Sequence, residues 1–343
     1  MGKILALEYR PKTFEDVSEQ SAVTAILKNQ IESGDIKNGY LFVGSSGCGK
    51  TTSARIFANE INKGFGNPIE LDAASNNGID DIRRIIDQSK VKAIDCEYKV
   101  FIIDECHSLS LSAWNSLLKV LEEPPKHVVF ILCTTEPKKV IPTILSRVQR
   151  FDFRRISFNG IYNRLKYIIE SENKLGENIQ YSEESIQFIA KMAEGGMRLA
   201  ISMLDKCLSY SHNLDIDIVS KALGSMKYDQ LFDLLNSVIN NDKQQILEIV
   251  DKAFLDGLDM KQYISDYANF LLDVNIYCLT KDINKIKIPN LYLDNLNKID
   301  SNLDKNLDKL LYNTTQLVNV VKYDDKPKFL ILTGLLAQAE RLV

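Results

Sequence analysis

Gly44-Ser45-Ser46-Gly47-Cys48-Gly49-Lys50-Thr51 lies between an apolar run, Tyr40-Leu41-Phe42-Val43, and a helical run from Thr52 to Ile61. Strand, glycine-rich turn and helix, in that order, are the context in which G-x-x-x-x-G-K-[ST] acts as a phosphate-binding loop. Glycine permits backbone angles that a side chain forbids. Consecutive N–H groups can therefore turn inward and form a nest for phosphate oxygens. The helix starting near Thr51 adds the positive end of its dipole. Gly44, Ser45, Ser46, Gly47, Cys48, Gly49, Lys50, Thr51 and the following Thr52 are thus nucleotide-binding candidates. Lys50 is placed to reach the β- and γ-phosphates, and the Thr51 hydroxyl to hold Mg²⁺.

A second stretch, Lys99-Val100-Phe101-Ile102-Ile103-Asp104-Glu105, completes the expectation. Four consecutive apolar residues read as a strand buried on both faces, as in a parallel sheet. Ligands in open α/β sheets bind beyond the carboxyl ends of the strands, so Asp104 and Glu105 should lie beside the phosphate loop. Asp104 is expected to hold Mg²⁺, mostly through water, and Glu105 to orient and polarise the attacking water. Ile69 to Ala73 and Val128 to Cys133 read as further strands, and Asp80 to Gln88 and Trp114 to Leu121 as helices between them. The double proline Pro124-Pro125 stops the latter helix. Strands alternating with helices predict a parallel α/β domain, closing near Phe153.

Composition narrows the alternatives. The chain of 343 residues is long enough for two or three domains, and with 45% hydrophobic and 26% charged residues it reads as globular. No apolar run approaches the roughly 18 residues needed to span a membrane, and the N-terminal residues show no signal-peptide core. Six cysteines, at 48, 96, 106, 133, 207 and 278, form no C-x-x-C pair. Zinc-ligand spacing is therefore lacking, and scattered thiols in a chain without a signal read as reduced, in the cytoplasm. A net charge of −4 excludes a coat of basic charge but allows a local basic groove.

Beyond the α/β domain the periodicity is helical. Ser21 to Ser33 near the N-terminus, Asn159 to Leu175, Ser182 to Ala193 and the run from Met197 all carry apolar residues at helical spacing. Gly195-Gly196 breaks the chain before Met197. From about Lys227 onward Leu and Ile recur every three or four residues, even through Asn/Asp/Lys-rich joints such as 281–290 and 294–309. Pro289 and Pro327 mark turns.

The order of phosphate loop, Asp-Glu strand, Thr134-Thr135 after a strand, Ser146-Arg147 and Gly195-Gly196-Met197-Arg198 resembles that of AAA+ ATPases. More narrowly, the chain resembles the bacterial DNA polymerase III gamma/tau subunits, the ATPases of the sliding-clamp loader. The carrying residues are Tyr9-Arg10-Pro11, Phe14, Asp16-Val17, Asp72-Ala73-Ala74-Ser75-Asn76-Asn77-Gly78, Ile103-Asp104-Glu105 with His107, Leu117-Leu118-Lys119, Leu121-Glu122-Glu123-Pro124-Pro125 and Ile144-Leu145-Ser146-Arg147. The likeness is dense from residue 5 to about 225. The resemblance implies an AAA+ core with a parallel sheet over residues 1–155, a small helical lid over 156–225 and an all-helical collar over 226–343 that builds a ring.

It also implies roles. Thr135 would be sensor 1, bonding the γ-phosphate or attacking water. Arg147 would be the arginine finger acting on a neighbour's ATP, and Arg198 sensor 2, reaching its own chain's ATP. Tyr9, Arg10 and Pro11 with Val17 would flank the adenine. A delocalised guanidinium suits charge developing on a transferring phosphoryl group. Asn77, Arg83 and Lys119 are implied DNA contacts, although Lys119 reads equally as a solvated helix residue. ATP and Mg²⁺ are the implied ligands. The implied partners are a sliding clamp, primer–template DNA and other loader subunits in a ring, expected to be pentameric.

Two departures stand out. The family's four-cysteine zinc module falls where this chain has only the short, cysteine-free interval Asn62 to Pro68, so zinc is not expected. Val148 follows Ser146-Arg147 where the family has cysteine. Two rival functions fit parts of the pattern: another AAA+ DNA motor such as a branch-migration helicase, and a structural ring subunit without hydrolysis. Leu121-Glu122-Glu123-Pro124-Pro125 and the helical C-terminal third disfavour the first; intact Lys50, Thr51, Asp104 and Glu105 disfavour the second.

Overall fold

The computed structural model describes residues 4–223, 228–288, 292–299 and 304–342. The expected lid–collar boundary at 225–226, the start of the helical third at Lys227 and the turn at Pro289 lie outside these residues. By contacts the chain divides into two compact units. One runs up to Ile168 and includes Ala193–Ser202; the other holds Ile169–Met192 and the chain from Met203 onward.

The first unit is built on five parallel strands, β1 (Gly39–Val43), β2 (Ile69–Asp72), β3 (Lys99–Asp104), β4 (Val128–Thr134) and β5 (Gln149–Asp152). Their spatial order is β2-β3-β4-β1-β5. The short helix α1 (Leu5–Glu8) and α2 (Ser21–Ser33) precede the sheet. The connections carry α3 (Lys50–Ile61), α4 (Ile79–Ser89), α5 (Leu111–Glu122) and α6 (Pro142–Leu145).

The strands alternate side chains between two apolar layers. Tyr40, Phe42, Val100, Ile102, Val129 and Ile131 face the layer closed by α2 and α3. Leu41, Val43, Phe101, Ile103, Phe130 and Leu132 face that of α4 and α5. Both faces of each central strand are covered, which is why these strands read as unbroken apolar runs. The strand β5 is one the sequence reading did not identify: only Phe151 of Gln149–Asp152 is buried, because an edge strand needs less apolar surface. Its register, Tyr40↔Gln149 to Val43↔Asp152, is set by backbone pairing with β1.

The chain continues through α7 (Phe158–Lys174), α8 (Glu183–Met192), α9 (Met197–Tyr210) and α10 (Ile216–Leu223). Between them Gln180–Tyr181 (β6) and Asn213–Leu214 (β7) form a two-stranded parallel sheet within the second unit. The sequence reading made this region purely helical; two-residue strands are too short to show a period of two. The C-terminal helices are α11 (Tyr228–Ile239), α12 (Lys243–Leu255), α13 (Met260–Thr280), α14 (Leu293–Asn297), α15 (Asp304–Val321) and α16 (Pro327–Leu342). The long helix α13 buries Tyr263, Tyr267, Phe270, Leu271 and Val274 and packs on α15. Asp259 caps it, accepting from the amides of Lys261 and Gln262. No helix among the described residues is long and apolar enough to cross a membrane.

Candidate nucleotide-binding site

The phosphate loop links β1 to α3, and close neighbours require glycine at Gly44 by space and at Gly47 by angle as well. A Cβ on Gly44 would lie 2.7 Å from the Phe153 carbonyl oxygen and 2.9 Å from Cys48 Sγ. Gly47 has φ +73°, and a Cβ there would sit 3.3 Å from the Arg198 amide nitrogen. That approach lets the Met197 N–H donate to the Gly47 carbonyl at 3.1 Å, which seats the first turn of α9 on the loop. Lys50 is only 5% exposed, and its ammonium donates to the Gly44 and Ser45 carbonyls at 2.8 and 3.0 Å. Cys48 is buried, which pushes its thiol pKa up and leaves it a packing residue.

At the end of β3, Asp104 Oδ2 accepts from Thr51 Oγ1 at 2.7 Å, and Asp104 Oδ1 accepts from the Glu105 N–H at 3.0 Å. Glu105 has φ +45°, in the left-handed region that non-glycine residues seldom occupy. Such conformations persist only where the surroundings over-determine them, often at functional sites. Here the Glu105 Oε2 oxygen accepts from Thr135 Oγ1 at 3.0 Å and from the Thr135 N–H at 3.3 Å, with His107 Nδ1 3.3 Å away. The imidazole also meets Thr134 Oγ1 at 3.1 Å and Glu136 Oε1 at 3.3 Å. Lys139 bonds Glu136 and holds its carboxyl below the usual range.

The loop from Ser46 onward, Asp104 and Glu105 border one cleft of about 940 Å³, counting space open to solvent at its mouth. Its lining combines Ser46 to Thr52, Asp104 and Glu105 with Tyr9, Arg10, Pro11, Val17, Ile156, Arg164, Arg198 and Ile201. All belong to the first unit. The structure thus brings together the loop, the carboxylates, the N-terminal segment and Arg198. The Arg198 guanidinium makes no hydrogen bond or ion pair with another described residue. Gly44 and Ser45 lie outside the lining, and Thr135 enters only through Glu105. Arg147 is absent from it: its guanidinium pairs with Glu122 at 2.6 Å and donates to the Thr143 carbonyl. Asn77, Arg83 and Lys119 are exposed around α4 and α5, with Arg83 paired to Asp80.

The site also recruits residues to which the sequence reading assigned no role. His107 stood in the motif only as a letter. Gln20, 3% exposed, donates to the Cys48 carbonyl at 3.3 Å and to the Arg154 carbonyl at 2.8 Å, and accepts from the Arg154 N–H. It ties the back of the phosphate loop to the strand exit after β5. Arg164 reaches the cleft from α7. Nothing local in the sequence marks Gln20 or Arg164, because their partners lie well over a hundred residues away in the chain for Arg154 and Tyr9.

The donor set fits a magnesium nucleotide. A glycine cradle that is closed to a Cβ at Gly44 and left-handed at Gly47 and Gly49, a buried ammonium now resting on loop carbonyls, and a hydroxyl–carboxylate pair of hard oxygen donors are what triphosphate and Mg²⁺ need. Among the described residues no three His, Cys, Asp or Glu side chains gather as a metal cluster of their own, so any cation would rely on phosphate oxygens as well.

Among solved structures, the Thermotoga maritima RuvB Holliday junction branch migration motor matches with a TM-score of 0.52 and 20% identity, over 67% of this chain and 79% of that one. This likeness is one of fold. A family model described as DNA polymerase III, delta subunit, matches residues 67–157. Another, described as DNA polymerase III clamp loader subunit, ATPase lid domain, matches residues 160–213. The Bacillus subtilis DNA polymerase III subunit tau is 39% identical over 291 residues, covering 78% of this chain and 51% of that protein. The Escherichia coli subunit tau is 32% identical, covering 78% and 44%. The Buchnera aphidicola subunit gamma is 32% identical over 343 residues, covering 92% of this chain and 86% of that protein. The chain spans about half the length of the tau relatives. By fold and site it is a P-loop protein of the AAA+ class, with a lid domain and a helical C-terminal part. It belongs to the DNA polymerase III gamma/tau family.

Proposed function

We propose that this chain is an ATPase subunit of a DNA sliding-clamp loader, which uses ATP binding and hydrolysis to open the clamp and place it on primer–template DNA during replication. One observation carries the catalytic half of this reading: Lys50, the Thr51–Asp104 pair and Glu105 converge on a single cleft. Membership of the gamma/tau family supports the clamp-loading half.

Lys50 would leave the loop carbonyls and grip the β- and γ-phosphates. Thr51 and Asp104 would hold Mg²⁺, which when bound neutralises charge on the phosphate oxygens. Glu105 would accept a proton from the attacking water, with Thr135 steering its carboxylate or the water itself. Arg198 would reach the phosphates of its own chain's ATP. Arg147, absent from its own cleft, would serve a neighbour's. Tyr9, Arg10, Pro11 and Val17 would flank the adenine. The partners are a sliding clamp, other loader subunits in a pentameric ring and DNA, gripped near Asn77, Arg83 and Lys119 by its phosphates rather than read by its bases. The chain would act in the cytoplasm as core, lid and ring-forming collar divided near 155 and 225.

The test is steady-state ATPase activity with and without candidate clamp and primed DNA. Stimulation by both together, abolished in Lys50→Ala along with nucleotide binding, is the expected result. Hydrolysis indifferent to clamp and DNA would remove the loader reading; unchanged ATP affinity in Lys50→Ala would remove the phosphate-loop assignment.

A further inference from the structure

The N-terminal segment of the cleft is held from α7. Arg164 Nη2 donates to the Tyr9 carbonyl at 2.9 Å. Its guanidinium lies 5.0 Å from the centre of the Tyr167 ring. The Tyr167 ring in turn meets the Tyr9 ring edge-on, centroids 6.4 Å apart and planes at 89°. Arg164 and Tyr167 are three residues apart, hence neighbours on the helix surface. A planar cation stacked on an aromatic face has its donors oriented in advance, so little freedom is lost in bonding the carbonyl.

Tyr9 is the residue that ends α1, with its own N–H bonded to the Leu5 carbonyl. Its carbonyl opens the segment Tyr9-Arg10-Pro11 that lines the cleft. Arg164 lines the cleft too, along with the apolar Ile156 and Ile201. The other part of the lining, Ser46 to Thr52 with the carboxylates, is polar and suits phosphates. The apolar part suits a flat base.

We propose that Arg164 is a positioning residue for the nucleoside half of the bound nucleotide: by bonding the Tyr9 carbonyl, with Tyr167 orienting its guanidinium, it sets the wall against which the base packs. It contributes to affinity for a nucleoside triphosphate and nothing to the grip on the phosphates. The proposal rests on the phosphate-loop reading of the same cleft.

Isothermal titration of the full chain with ATP and with inorganic tripolyphosphate separates the two. Tripolyphosphate carries the phosphates without base or sugar. In Arg164→Ala, ATP affinity should fall about tenfold, the effect of losing one charge-assisted hydrogen bond, while tripolyphosphate binding stays at the wild-type level. Arg164→Lys keeps a donor for the carbonyl but not the flat face, and should recover part of the loss. Tyr167→Ala removes a ring that is 53% exposed, so it can be made without disturbing the core, and should weaken ATP in the same selective way. Equal losses for both ligands, or none for ATP, in either alanine variant would overturn the proposal. A wild-type chain that bound neither ligand would overturn the phosphate-loop reading, and this inference with it.

Discussion

The Thr135 hydroxyl donates to the Glu105 carboxylate at 3.0 Å, and the Thr135 amide reaches the same oxygen at 3.3 Å. A carboxylate so held has a defined direction before any substrate arrives. Glu105→Gln should still bind ATP but hydrolyse it about 10²- to 10⁴-fold more slowly, because an amide cannot accept a proton from water. Thr135→Ala should lose less, roughly tenfold, and Thr135→Ser should restore the activity, since the bond to Glu105 needs only the hydroxyl and amide. Single-turnover phosphate release reads both effects. Wild-type turnover in Glu105→Gln would mean that another group is the base.

Arg147 is anchored by Glu122 and by the Thr143 carbonyl, outside its own nucleotide cleft. Arg147→Ala should therefore bind ATP almost normally and lose DNA-stimulated hydrolysis, by about 10³-fold if it acts as a finger on a neighbouring site. Mixing Arg147→Ala with Lys50→Ala in one assembly should restore partial activity. An Arg147→Ala chain keeps a working pocket and a Lys50→Ala chain keeps a working finger, so some interfaces are whole. Full activity of Arg147→Ala alone would end the assignment in trans.

Chelator-washed protein should contain well under one zinc per chain. Zinc takes thiolates, and the cysteines here are not arranged to supply them in a group. Cys48, Cys106, Cys133 and Cys207 are buried, and burial pushes the Cys207 thiol up to about 11. Atomic absorption measures this directly. A stoichiometric zinc would show that distant cysteines converge on one ion.

Asp273 on α13 is 7% exposed and accepts from the Lys287 N–H at 2.8 Å. Burial raises its carboxyl above the ordinary 3.8; that amide bond and the charges of Lys287 and Lys191 act the other way but are the smaller effects. The folded state thus binds this proton more tightly than the unfolded state. Its contribution to stability is complete below pH 3.8 and is lost as pH rises through the raised folded value. Asp273→Asn keeps an acceptor for the amide without titrating. Its melting temperature relative to the wild type should therefore climb between pH 3.8 and neutrality, by no more than a few degrees. Calorimetry across that range checks the sign; a difference that is flat or falls with pH would contradict it.

The local structure was legible residue by residue. Gly44 to Thr51 announced a glycine-rich turn from a strand into a helix, the context in which glycine, lysine and threonine at that spacing are read as a phosphate loop. Val100 to Ile103 announced a strand covered on both faces, because four apolar residues in a row have nowhere else to go. The helices with regular apolar spacing, such as Ser21 to Ser33 and Asn159 to Leu175, were equally plain. The strand β5 was not, since backbone pairing to β1 holds it with a single buried side chain. Nor were β6 and β7, which are too short to carry a period.

The site's supporting contacts came only with the tertiary structure. The register of β3 on β4, Ile103↔Leu132, brings Glu105 beside Thr134 and Thr135 and lets His107 bridge to Glu136. The return of the chain after β5 brings Arg154 to Gln20, and α7 brings Arg164 to Tyr9. Periodicity and motif spacing report what a residue does to its own few neighbours. Which donor meets which acceptor across a sheet or between an N-terminal segment and a later helix depends on strand order and register, and those are settled when the apolar faces of all the elements are buried together.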